Sequence, residues 1–141
     1  MRYVVDCNLV ADWFSPGELS PGVDRALRAV RSGRIEAQAP DLLLTEFAHF
    51  LTKRLRRKQM SREAVVDAWD DFRRLPIEFH PVGPLSMSAF DLAVQHHATA
   101  YDATYVALAI SLDALLLTSD AGLRKAFAET GRTQHVDDLT V

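Results

Sequence analysis

The chain has 141 residues, of which 48% are hydrophobic and 25% charged, with a net charge of −3 and one cysteine. That length and apolar content fit one domain with a real core, and the sequence shows no low-complexity segment and no internal repeat. The mild acidity argues against a general nucleic-acid coat, and Cys7 alone cannot form an intramolecular disulfide. No apolar stretch approaches the ~20 residues that span a bilayer, and the start of the chain lacks the basic leader and apolar region of a signal peptide. The expected location is the cytoplasm, with no membrane association.

Short apolar runs alternate with amphipathic segments. Tyr3-Val-Val5 reads as a buried strand ended by Asp6. Residues 20–31 carry Val23, Leu27 and Val30 at helical steps, with Ser20 as start signal and Gly33 as stop. A short strand over 35–39 ends at Pro40. The longest helix is expected over 41–58, with Leu43, Phe47, Phe50, Leu51 and Leu55 on one face. A helix opening at Ser61 carries Val65, Ala68, Trp69 and Phe72 as its stripe. A strand over 76–79, helices over 86–97 and 101–112, a strand over 114–118, a helix over 122–129 and a strand over 133–136 complete the chain. Strands separated by helices imply parallel pairing with right-handed crossovers. The expected fold class is α/β: a three-layer α/β/α sandwich around a parallel sheet of about five strands, formed by residues 1–141 as a single domain.

Four acidic residues stand out against this pattern. Asp6 and Asp120 end strands, Glu46 lies one to two turns into the long helix among Leu43, Phe47 and Phe50, and Asp102 opens a strongly apolar helix. In open parallel sheets, sites form outside the carboxyl ends of the strands, so Asp6 and Asp120 belong at one rim. Carboxylates are rarely buried unpaired, and the sequence supplies no matching buried lysine or arginine run. A divalent cation such as Mg²⁺ or Mn²⁺ resolves the repulsion and can activate water against phosphorus. Asn8 could add a neutral oxygen or orient a water. Thr118 and Ser119 could hydrogen-bond a metal-binding carboxylate or a substrate phosphate.

Taken singly, these acids have plainer readings. Asp6 reads equally as a turn residue, Asp102 as a helix-start residue and Asp120 as an N-cap. Asp12, Asp41, Asp91, Asp137 and Asp138 read as solvated caps or surface charges. The basic run 53–58 suits a helix C-terminus, and Arg54, two turns from Glu46, suits phosphate contact equally well. His96 and His97 lack a zinc-ligand spacing, and His80 and His135 show no partner pattern. Cys7 has no identifiable base and reads as a small buried hydrophobe. Trp13 and Phe14 read as packing residues. Trp69 and Phe72 fit either a core or a partner-binding face.

In order and spacing, Val4-Val-Asp6-Cys-Asn8, Pro40 with Glu46, Tyr101-Asp102-Ala-Thr-Tyr105-Val-Ala-Leu-Ala109 and Leu116-Leu-Thr-Ser-Asp120 resemble the PIN domain over nearly the whole chain. The resemblance is nearest to the VapC toxins of toxin–antitoxin pairs. It implies that Asp6, Glu46, Asp102 and Asp120 form a metal-binding catalytic quartet, with Asn8 in the polar position after the first aspartate. It also implies Mg²⁺- or Mn²⁺-dependent endoribonuclease activity on RNA, a homodimer and a small cognate antitoxin. His49 departs from the pattern, since asparagine is frequent three residues after the helical glutamate. The aromatic residues of the two helices over 41–58 and 61–74 suggest a groove for an antitoxin segment. Three alternatives stand beside this reading. They are a catalytically degenerate RNA-binding domain, an aspartate-dependent phosphatase suggested by Asp6-Cys-Asn8, and a receiver-like domain, which His80-Pro81 disfavours because aspartate is wanted there.

Overall fold

A computed structural model describes residues 1–141. Five parallel strands, β1 (Arg2–Val5), β2 (Glu36–Pro40), β3 (Ile77–His80), β4 (Leu115–Thr118) and β5 (Thr133–His135), form one sheet in the order β3-β2-β1-β4-β5. The chain builds outward from β1 to β3, then crosses back to place β4 on the other side of β1. The strand order therefore reverses between β1 and β4, and a crevice opens at their carboxyl ends. Val4, Val5, Leu116 and Leu117 are fully buried, so both sheet faces are covered.

Seven helices cover the sheet: α1 (Cys7–Trp13), α2 (Pro21–Arg31), α3 (Leu42–Arg56), α4 (Arg62–Arg74), α5 (Ser86–His96), α6 (Ala100–Ser111) and α7 (Ala121–Ala126). Right-handed crossovers put α1 to α4 on one face and α5 to α7 on the other. The α/β expectation and the strand count hold. Helix α6 is buried from Ala103 to Ala109 without a break. Its small side chains let it press onto the sheet and α5 at once, which explains why the segment is apolar all round.

Sequence reading misses α1 altogether. Asp6 does more than end a strand: it N-caps α1, accepting the Leu9 N–H. The helix over 41–58 stops at Arg56, because Lys58 takes a left-handed backbone. Part of the aromatic bulk expected to line a groove between α3 and α4 goes into the core instead. Phe47 and Phe72 are buried and stack on each other at 4.4 Å between ring centres, with Trp69 and Phe14 packed around them. Phe47 and Phe72 thus serve the core, while Phe50 and Trp69 stay partly exposed. Trp13 is buried with its ring N–H donated to the Val23 carbonyl, as a packing residue. No helix is long and apolar enough to cross a membrane.

Candidate active site

The crevice at the β1–β4 switch gathers the acids. Asp6 follows β1 and is 1% exposed. Its Oδ1 accepts the Leu9 N–H at 2.9 Å, and its Oδ2 accepts the Thr118 hydroxyl at 2.5 Å. Capping and site roles thus fall on different oxygens of one carboxylate. Burial pushes the Asp6 carboxyl up to about 7; the bonds from Thr118, Leu9 and Asn8 oppose the shift and nearby Asp102 adds to it.

Glu46 sits in the second turn of α3, half-buried, where the buried Tyr105 hydroxyl donates to Oε1 at 2.5 Å. Burial raises its carboxyl, with Tyr105 opposing and Asp102 adding. Asp102 lies in the first turn of α6, and its N–H donates to the Thr99 N-cap hydroxyl at 3.1 Å. Burial again raises its carboxyl, helped by Asp120. Asp120 N-caps α7 through Oδ1, which accepts the Leu123 N–H at 3.1 Å, while the Asn8 amide donates to Oδ2 at 3.5 Å. Thr118 links the two aspartates, since its oxygen also accepts the Asp120 N–H at 3.0 Å.

Asp6, Glu46 and Asp102 line one cleft of about 850 Å³, together with Asn8, Tyr105 and the α3 residues His49 and Arg54. Asp120 and Ser119 line an adjoining depression of about 490 Å³, and Asn8, Phe50 and Arg54 border both. The structure thus brings three of the four acids into one cleft and sets Asp120 just beyond Asn8. Arg54 stands on the wall between, its guanidinium 5.0 Å from the Phe50 ring centre and donating to Ser15 and Gln59. Ser119 uses its backbone carbonyl, which accepts the His135 Nε2–H at 3.1 Å, and its side chain makes no hydrogen bond.

None of the four acids has a cationic partner; every arginine ion pair lies elsewhere. Asp6, Glu46 and Asp102 are desolvated and uncompensated, which is the condition a hard divalent cation relieves. No three acidic, histidine or cysteine side chains converge into a ready-made metal cage. The carboxylate oxygens of Asp6, Glu46 and Asp102 in the cleft are hard donors of the kind such a cation takes. Cys7, in the same cleft, has its thiol pushed up to about 12 by burial and by the Glu46 and Asp6 charges, which favours the protonated form.

Residues 3–128 match the family model of the PIN domain. The chain belongs to the PIN domain family. This PIN domain is 33% identical over 131 residues to Ribonuclease VapC3 of Pyrobaculum aerophilum, an overlap of 90% of this chain and 95% of that relative. In fold it is similar to PAE2754 of Pyrobaculum aerophilum, with a TM-score of 0.72, 21% identity, and coverage of 97% of this chain and 90% of that one. It is also similar to VapBC2 of Rickettsia felis, solved with a DNA fragment from their promoter, with a TM-score of 0.70, 13% identity, and coverage of 96% and 98%.

Three residues of the site escape sequence reading. Tyr105 appears there only within the string that resembles the PIN domain, with no role of its own, yet it holds Glu46. Thr99 stands three residues before Asp102, an N-cap spacing that was available as a signal. His135, which fixes the loop before Asp120, carries no local signal because its partner, Ser119, lies 16 residues earlier, just after β4.

Proposed function

We propose that this chain is a metal-dependent endoribonuclease, the toxin of a toxin–antitoxin pair, hydrolysing RNA phosphodiester bonds with Mg²⁺ or Mn²⁺. The observation that carries the reading is the set of unpaired, desolvated carboxylates of Asp6, Glu46 and Asp102 in one cleft, with Asp120 beside them. A bound divalent cation would neutralise these groups and make a water acidic enough to attack phosphorus. Asp6 and Asp102 are the primary holders. Thr118 fixes Asp6 through Oδ2, and Tyr105 fixes Glu46 through Oε1. Asn8 orients Asp120, and the Arg54 guanidinium, held by Ser15 and Gln59, places a fixed positive charge beside a phosphate.

The VapC3 relative, a ribonuclease by name, and the VapBC2 complex support RNA as substrate and a small antitoxin as partner. A homodimer belongs to the same proposal. Met87, Phe90 and Val94 form an exposed apolar stripe on α5, and uncharged side chains of this kind suit a two-fold interface, where a patch meets itself. The test is incubation of purified protein with RNA in Mg²⁺ or Mn²⁺ and in excess chelator, beside a generic phosphate monoester. Metal-dependent RNA cleavage without release of inorganic phosphate supports the proposal. Release of phosphate from the monoester with RNA left intact supports the phosphatase alternative.

A further inference from the structure

The basic run at the end of α3 divides by face. Lys53, Arg54 and Arg57 line the acidic cleft, continuing at three- and four-residue steps the line that begins at Glu46. Arg56 does not line it, and Lys58 faces a separate depression beside Met60. The helix dipole favours cations in the last turn on any face, so it accounts for the run but not for this division. Arg54 is tied to Ser15 and Gln59. Lys53 and Arg57 make no ion pair, and neither side chain appears in a hydrogen bond within the chain.

Seven residues of helix separate Glu46 from Lys53 and eleven separate it from Arg57, about 10 and 16 Å along the axis. Neither cation forms an ion pair with the acids. They do lie on one straight path leading away from them. The acidic floor repels any polyanion, so a nucleic-acid substrate needs cations beside it to be held.

We propose that Lys53 and Arg57 form a phosphate-binding track that holds the backbone of single-stranded RNA as it leaves the acidic floor, on the far side of Arg54 from the cleaved bond. This rests on the ribonuclease reading. The occupant fits because a single strand carries evenly spaced phosphates that can follow one helix face, whereas each lone cation contributes through counterion release.

The test compares steady-state cleavage of single-stranded RNA in Mg²⁺ by wild type, Lys53→Gln/Arg57→Gln and Arg56→Gln/Lys58→Gln, each checked by thermal melting. The first pair should raise KM about tenfold with kcat little changed, and should flatten the salt dependence of log(kcat/KM) by about 1.4, as two lost phosphate contacts require. The second pair should stay within about twofold of wild type, since it removes equal charge from other faces. Lys53→Arg/Arg57→Lys keeps both charges and should keep KM, which guards against a folding artefact. Equal losses from both glutamine pairs, or no loss from Lys53→Gln/Arg57→Gln while wild type cleaves RNA, overturns the track and leaves the ribonuclease reading intact. A wild-type protein that leaves RNA untouched overturns both.

Discussion

The Thr118 hydroxyl donates to Oδ2 of Asp6 at 2.5 Å and so joins the carboxyl ends of β4 and β1. The bond crosses the point where the strand order reverses. It uses the one Asp6 oxygen that does not cap α1. Thr118→Val should keep the fold, because valine matches the shape of threonine in a strand. It should free the carboxylate to rotate, and the half-saturating Mg²⁺ concentration for cleavage should rise roughly 10–100-fold, the usual loss when a metal ligand's support is removed. Metal titration of RNA cleavage measures this, and an unchanged midpoint contradicts it.

The raised carboxyls give the metal-free protein a distinctive pH dependence. Asp6 titrates near 7 in the folded state, against 3.8 when unperturbed. Between those values the folded chain binds more protons than the unfolded one, so stability falls as pH rises. The loss begins near pH 4 and is complete above pH 7. For Asp6 alone it is on the order of 4 kcal/mol, and Glu46 and Asp102 act in the same direction. In chelator the protein should melt higher at pH 5 than at pH 8. Asp6→Asn keeps an N-cap for α1 and should remove most of this difference. Equal pH dependence in wild type and Asp6→Asn contradicts the assignment.

Tyr105→Phe tests the buried support of Glu46. The ring stays packed in α6, but the carboxylate loses its hydroxyl donor. Cleavage should fall about tenfold or more, consistent with a lost bond to a charged group of about 1.5–3 kcal/mol. The metal-free melting temperature should change little, because Glu46 is half-exposed and can recruit water. A variant as active as wild type removes Tyr105 from the site.

The sheet and its helices are legible in the sequence because they rest on local signals. The β-branched pair Val4-Val5 marks β1, a continuous leucine run marks β4, and Ser20 and Ser61 mark the starts of α2 and α4. Helix α1 is not legible: it is seven residues long and begins one residue after a strand, with the same Asp6 ending one element and capping the next. The convergence of Asp6 and Asp120 follows from topology, since both stand at strand ends on either side of the reversal. Which oxygen does what does not follow, because Thr118, Tyr105 and Asn8 act across sequence separations of 112, 59 and 112 residues. The α3–α4 aromatics are a related case. Periodicity identifies an apolar stripe, but only packing shows that Phe47 and Phe72 stack on each other.

Self-association is open to a single change on α5. Phe90 is 56% exposed between Met87 and Val94. Phe90→Lys should place like charges across a two-fold interface and lower the mass seen by light scattering to that of one chain, with the melting temperature of the chain itself little affected. A monomeric wild-type protein, or a Phe90→Lys dimer of unchanged affinity, contradicts this use of the stripe.

The central claim is that the uncompensated acids of one cleft act together as a cation site that cuts RNA. Mn²⁺ binding and RNA cleavage, measured side by side on wild type, Asp102→Asn and the surface control Asp91→Asn, test it most directly. Asp102 is chosen because its carboxyl is coupled to those of Asp6, Glu46 and Asp120 while its side chain caps no helix in the manner of Asp6 and Asp120. The expected result is saturable Mn²⁺ binding and cleavage by wild type and Asp91→Asn, and loss of both in a folded Asp102→Asn protein. An Asp102→Asn protein that binds Mn²⁺ and cleaves RNA as wild type does would contradict the account.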